Sequence, residues 1–311
     1  MSATARVLRL APLTLIVALL AGCAGLDLRQ YRTVLVTPVP DRAGWRGLPV
    51  ATGQVIVNEI PDAMSLFGSL STERFAPFTH AGIIVVEPKG VFVYEAFGFY
   101  LPLPWTRPNQ QMGGGVRRVS LESFIARGGM VAIHEPPASA DRAGIAAFAR
   151  DSVRRHVPFD GDFDPRDGAR FYCVEFVARA LEAAGAPRIA AARVTSNRSV
   201  RVALDWLGVK GSELELAGDL VAQSPRVVLL SPSFSAEQVD AYFALKQELH
   251  RRFTADQKIG SLVSWRGQRL GFRPRIDAYF TEGTRTLADP RLLADRMFGP
   301  RPDARFADAA R

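Results

Sequence analysis

Cys173 stands where a polar loop passes into a helix, and that setting suits a nucleophile. The stretch 160–185 reads DGDFDPRDGARFYCVEFVARALEAAG. Val174, Phe176, Val177, Ala180 and Leu181 recur at helical spacing, and Gly185 supplies a C-terminal cap. The cysteine therefore falls at or just before a first helical turn. Unsatisfied N–H groups and the helix dipole favour an anion there, and a thiolate is an anion. The same place also suits a small buried residue, so the decision rests on what else the chain brings to it.

A cysteine hydrolase needs a histidine for the thiol proton, a polar group to orient that histidine, and donors for the oxyanion. The chain has four histidines. His250, between Leu249 and Arg251, is expected on a solvated helix surface. His156 ends a helix behind Arg154 and Arg155, where positive charge suits the dipole. His134 ends a strand before Glu135-Pro136-Pro137. His80 differs. It opens a strand, with Pro77 in the preceding loop and small Ala81 and Gly82 beside it. Glu95 interrupts the apolar run VFVYEAF on the next strand, where a carboxylate is unfavourable without a partner. It shares a strand face with Val91 and Val93, and a hairpin turning at 88–90 brings it near His80. A carboxylate so placed orients an imidazole and stabilises its protonated form.

The chain has 311 residues, 48% of them hydrophobic, which is ample for a sizeable core. Its formal charge of +8 comes far more from arginine than from lysine. No basic run interleaved with aromatics and no zinc-finger signature is present, so nucleic acid is excluded as a partner, and an anionic envelope surface is the milder reading. Arg6 and Arg9 precede the apolar run Leu10–Leu20, which ends in Leu20-Ala21-Gly22-Cys23. A basic segment, a short apolar segment and small residues make a secretory signal. There are two cysteines. Leu20-Ala21-Gly22-Cys23 resembles a bacterial lipoprotein cleavage box, which implies lipid on Cys23; Cys173 then has no partner within the chain, and an unpaired thiol in an exported protein points to reactivity.

Residues 24–51, with Pro38, Pro40, Gly44, Gly47 and Pro49, read as a tether. Strands are predicted at Gln54–Asn58, Thr79–Val86, Val91–Phe97, Val116–Val119, Met130–His134 and Val227–Leu230. Helices are predicted at Ala63–Leu70 behind Asp62, at Leu121–Ala126 behind Ser120, from Ser139 to about Arg155, at Ser196–Leu207 and at Ala236–Phe253. Residues 98–115, with three consecutive glycines, read as a loop. Hairpin strands mixed with helices outside any βαβ rhythm argue an α+β fold. Asp160, Asp162, Asp164 and Asp167 lack the glycine and glutamate offsets of a calcium loop and are read as a solvated turn at the site mouth, so no metal and no cofactor are expected. Phe97, Phe99, Tyr100 and Trp105 are packing residues that also offer an apolar wall beside Glu95.

THAGII, a following strand with VYEAF, and FYCVEFVARALEAAG behind an FDGDFD loop together resemble the circularly permuted papain-like amidases of the YaeF/YiiX group, relatives of NlpC-type cell-wall amidases. Leu20-Ala21-Gly22-Cys23 resembles the bacterial lipoprotein cleavage box. The resemblance covers roughly 53–186. It implies a permuted papain-like fold in which an antiparallel sheet packs on the cysteine helix, and in which the histidine strand precedes that helix. It implies Cys173 as nucleophile, His80 as general base and acid, Glu95 as the orienting residue, Tyr172 as a residue lining the site, and Cys23 as the lipidated residue. Val174 stands where relatives often carry serine. The backbone N–H of Cys173 is a natural oxyanion donor. The expected organisation is a signal peptide over 1–22, a tether over 23–51, a hydrolase domain over 52–210 and a C-terminal helical extension over 211–311. The expected activity is thiolate acyl transfer on cell-wall peptide amides or on acyl amide or ester bonds of lipids. The expected location is the bacterial outer membrane, facing the periplasm through the lipid on Cys23. The reading from another class is a non-catalytic lipoprotein that uses the same fold for binding or scaffolding.

Overall fold

The computed structural model describes residues 26–39, 44–100, 112–254, 262–266 and 269–298. The signal segment, Cys23 and Trp105 lie outside the described residues. The strands are β1 (Thr33–Val36), β2 (Val55–Glu59), β3 (His80–Glu87), β4 (Gly90–Tyr100), β5 (Met112–Ser120), β6 (Met130–His134), β7 (Ala192–Arg193), β8 (Glu213–Leu214), β9 (Arg226–Ser231), β10 (Val263–Arg266) and β11 (Arg269–Phe272). The helices are α1 (Ala63–Leu70), α2 (Leu121–Ile125), α3 (Arg142–Arg154), α4 (Cys173–Ala183), α5 (Arg198–Leu207), α6 (Ala217–Val221), α7 (Ala236–Phe253), α8 (Pro274–Arg285) and α9 (Pro290–Phe298). Among the described residues no helix is long and apolar enough to cross a membrane.

Seven strands form one antiparallel sheet in the order β1-β9-β6-β2-β3-β4-β5. The fold is α+β, with apolar packing on both faces of the sheet. On one face Val55, Val57, Ala81, Ile83 and Ala96 pack with Phe176, Val177 and Leu181 of α4, Ile145 of α3, and Tyr242 and Leu249 of α7. On the other, Ile56, Ile84, Val93, Val131, Ile133 and Leu230 meet Leu121, Phe124 and Ile125 of α2 together with Leu48 and Val50. Burial on both faces explains why β2 and β6 are buried at every position instead of alternating with polar residues.

Local signals place most elements well. Asp62 caps α1, Ser120 caps α2, and Ser235 with Gln238 forms a capping box on α7. Asp141, not Ser139, caps α3, accepting from the amides of Ala143 and Gly144. Of the expected loop over 98–115, the two described ends, 98–100 and 112–115, are strand, and the rest lies outside the described residues. Gly113, Gly114 and Gly115 pair with Phe99, Gly98 and Phe97. Gly114 has φ +116°, and a Cβ there would lie 2.1 Å from the Phe97 carbonyl oxygen, so this ladder needs glycine.

Residues expected in the tether and in the C-terminal extension contribute strands to the central sheet. β1 pairs with β9 from Thr33↔Ser231 to Val36↔Val228, and Leu48 and Val50 are buried in the core. β9 lies between β1 and β6 and is buried from Val227 to Ser231. Its ladders on both sides are long-range hydrogen bonds, which no local pattern announces. Removing 211–311 therefore opens the sheet at β6, exposing a strand edge and the apolar faces beneath α7. The truncated chain is expected to lose its cooperative thermal transition, read by circular dichroism, whereas a separable extension would leave that transition in place.

Candidate active site

Three elements converge at the segment ending in Thr79. β3 begins at His80, β4 carries Glu95 beside it, and α4 begins at Cys173. β3 and β4 pair from Glu87↔Gly90 to Ile83↔Tyr94, and Glu95 follows the last of these pairs. The Glu95 carboxylate is fully buried, and its Oε2 lies 2.6 Å from His80 Nε2. The strand alternation that put Glu95 with Val91 and Val93 therefore predicts its face correctly. Cys173 is a partly buried free thiol whose Sγ lies 3.8 Å from the Thr79 carbonyl oxygen. With Nε2 engaged by Glu95, Nδ1 is the ring nitrogen left for the sulfur. Phe124 stacks on the imidazole at 5.8 Å between centroids, and Phe97 meets it edge-on at 6.4 Å.

Electrostatics follow from this packing. Burial pushes the imidazole down, but hydrogen bonds and charge from Cys173, and then from Glu95, outweigh it and hold His80 up at about 9. Burial pushes Glu95 up, but His80 and Arg127 overcome it and hold the carboxyl at about 2. His80 is thus an imidazolium through the neutral range. The sulfur of Cys173 thus faces this imidazole from the N-terminus of α4.

Two arginines complete the site, and sequence patterning missed both. Arg127 grips Glu95 with both terminal nitrogens, at 2.6 and 2.5 Å, and Arg117 Nε donates to Oε1 at 2.9 Å. Arg117 lies directly opposite Glu95 in the β4–β5 ladder, so a register drawn through that hairpin would have found it. Arg127 follows α2 and carries no comparable signal. Arg117 also lies 3.7 Å over the Phe97 ring, which makes Phe97 part of the wall beside Glu95. Phe99 is exposed, and nothing is described of the Tyr100 side chain.

Tyr172 lines a cavity of about 250 Å³ beside Cys173, but its hydroxyl is turned to structure, accepting from the Glu215 amide at 2.8 Å. The other cavity walls include Phe67, Phe78, Leu204, Leu207 and Leu214. A second cavity of about 280 Å³, lined by Asn58, Phe97, Phe124 and Arg127, opens on the His80 side. Glu175 is buried in the first turn of α4, two residues after Cys173. Burial first, and then the Glu215 charge, pushes its carboxyl up to about 8. Asp160 is fully buried instead of solvated, and its carboxylate accepts from the Asp162 and Asp164 amides to shape the loop. His250 is likewise buried rather than solvated, with Nε2 2.8 Å from the Thr72 carbonyl oxygen. His134 meets the Ser224 carbonyl at 3.0 Å and lies away from the site on β6. Among the described residues no group of three or more His, Cys, Asp or Glu side chains is arranged to hold a metal ion.

No family model matches this chain, and no curated protein matches it. Among solved structures, that of the metalloprotein YiiX from Escherichia coli O157:H7 is similar, at 20% identity and a TM-score of 0.42, over 58% of this chain and 95% of that chain.

The His80–Glu95 pair makes stability depend on pH in two windows. The raised His80 value contributes stability that is full below 6.5 and lost as pH climbs through about 9. The lowered Glu95 value contributes stability present above 4.5 and lost as pH falls through about 2. Glu95→Gln leaves two arginines facing a neutral amide and is expected to destabilise by about 3–5 kcal/mol, as breaking a buried pair does. In denaturant melts across pH, that difference should be widest between 4.5 and 6.5 and narrow as pH rises through about 9.

Proposed function

We propose that this chain is a cysteine hydrolase of the circularly permuted papain-like type, acting by thiolate acyl transfer. In this reading it is held at the bacterial outer membrane, facing the periplasm, by lipid on Cys23. The observation that carries the proposal is the convergence at Thr79: its carbonyl meets the Cys173 sulfur, and its neighbour His80 is locked to a buried carboxylate. That geometry supports Cys173 as the nucleophile, His80 as the base and Glu95 as the orienting group.

The Cys173 thiolate attacks the carbonyl carbon of an amide or ester. As the C–S bond forms, the carbonyl electron pair moves to oxygen, toward the backbone N–H of Cys173 at the start of α4. The His80 imidazolium gives its proton to the leaving nitrogen or oxygen as that bond breaks, and a thioester remains. Neutral His80 then takes a proton from water as the water attacks the thioester. Collapse releases the acid and restores the thiolate–imidazolium pair. Throughout, Glu95 stays ionised between Arg117 and Arg127, so it orients the imidazole and does not relay its proton.

The cavity beside Cys173 favours an acyl group as the part of the substrate held next to the sulfur. Phe67, Phe78, Leu204, Leu207 and Leu214 would each gain by excluding water against a hydrocarbon chain. Acyl amides or esters of lipids are therefore the preferred substrate class over cell-wall peptides. The test incubates the protein with N-acyl and O-acyl lipids in vesicles and, in parallel, with purified peptidoglycan. Lipid turnover that Cys173→Ala abolishes, and that His80→Ala lowers by about 10²–10⁴, is the expected result. Leu207→Trp should raise KM for long acyl chains and leave an acetyl substrate unaffected. Turnover of neither class, with Cys173 alkylated like an ordinary free thiol, would instead leave a non-catalytic binding lipoprotein.

A further inference from the structure

A lysine with no exposed surface lies behind the site, on α7. Lys246 shares a helical face with Tyr242 and Leu249, which belong to the core. Its ammonium reaches three separate pieces of chain. It is ion-paired with Glu59 at the end of β2, lies 3.4 Å from Ser65 Oγ in α1, and donates to the Pro77 carbonyl at 3.0 Å. Glu59 is also fully buried. Its Oε1 accepts from the Tyr242 hydroxyl at 2.6 Å, and its Oε2 accepts from the Thr79 hydroxyl at 3.2 Å. Ser65 Oγ lies 3.2 Å from Thr79 Oγ1, and the Thr79 amide donates to the Asn58 carbonyl at 3.2 Å. Thr79 is thus held through its side chain and its amide, while its carbonyl faces Cys173 and its peptide bond leads into His80.

We propose that Lys246 is a positioning residue: through Glu59 and the Pro77 carbonyl it fixes the 77–79 segment, and that segment sets how Cys173 meets His80. The proposal rests on reading Cys173 and His80 as the reacting pair. Stability alone explains the lysine poorly, because a buried ion pair is often matched or bettered by apolar residues of the same size. Three directed donors do what apolar packing does not. They hold a carbonyl, a hydroxyl and a carboxylate from different elements in one arrangement. They also give α7, far along the chain, a place in the site.

The decisive variant is the double substitution Glu59→Gln with Lys246→Met, which removes both buried charges together. Lys246→Met alone would strand the Glu59 carboxylate and risk the fold. Two properties are measured in the full chain: the His80 titration, by NMR of ring-labelled histidine, and the pH profile of Cys173 alkylation by iodoacetamide. The double variant is expected to keep a cooperative melt. Its His80 midpoint should fall by about one unit or more, and alkylation at neutral pH should slow by about tenfold or more, with rates converging in alkali. Thr79→Val, which loses the hydroxyl contact to Glu59, should move both properties the same way, and Thr79→Ser should restore them. A folded double variant with the wild-type titration and alkylation profile would overturn the proposal. So would a wild-type profile in Thr79→Val if the double variant does not fold. Ordinary-thiol reactivity of Cys173 in the wild-type chain would instead sink the hydrolase reading, and the His80 titration would still decide the role of Lys246.

Discussion

Everything at the site depends on neutralising one buried carboxylate. Glu95 has no exposed surface, and a carboxylate removed from water persists only where donors and cations replace the solvent. His80, Arg117 and Arg127 do that from three directions. Their geometry follows from the neighbouring elements: β3 delivers the histidine, β5 delivers Arg117 opposite Glu95, and the turn after α2 delivers Arg127. The aromatic rings of Phe97 and Phe124 shield the cluster and raise the electrostatic stakes within it. One consequence is chemical. With Glu95 held ionised, the imidazole keeps a second proton in the neutral range, and the sulfur at the start of α4 faces a cation.

The sheet that carries this cluster is covered on both faces, and that demand reaches the whole chain. A buried strand needs ladder partners on each side and apolar cover above and below. β1 and β9 supply the ladder beyond β6, and α7 helps to close the face that holds α4. β1, Leu48 and Val50 before residue 52, and β9 and α7 after residue 210, are therefore part of the same body as the site. The Lys246–Glu59 pair extends the point from packing to chemistry, since it ties α7 to the residue that precedes His80.

Two cavities flank the site, and both are mainly apolar. Phe67, Phe78 and Leu207 line the one beside Cys173, with Glu215 among them, and Phe97 and Phe124 line the one on the His80 side, with Asn58 and Arg127. Under the proposed hydrolase reading, such lining suits a substrate with a hydrocarbon part better than a uniformly polar chain.

By itself the sequence determined the local elements and singled out Cys173, His80 and Glu95 as residues that meet in space. Helical periodicity placed Cys173 at a helix start, capping residues marked α1 and α2, and strand alternation put Glu95 on the valine face beside His80. Those signals are legible because they repeat within a few residues. Register across the β4–β5 hairpin was the limit of such reasoning, and Arg117 lay just past it. Only the tertiary structure decided that β9 enters the central sheet and that residues 33–36 close its edge. Only it made His250 a buried residue, Arg127 the second clamp on Glu95, and Lys246 a buried partner of Glu59. Each of these rests on a hydrogen bond or ion pair between residues far apart in the chain. Such contacts leave no periodic trace in composition or spacing, because the partner's chemistry, not its position in the sequence, satisfies the buried group.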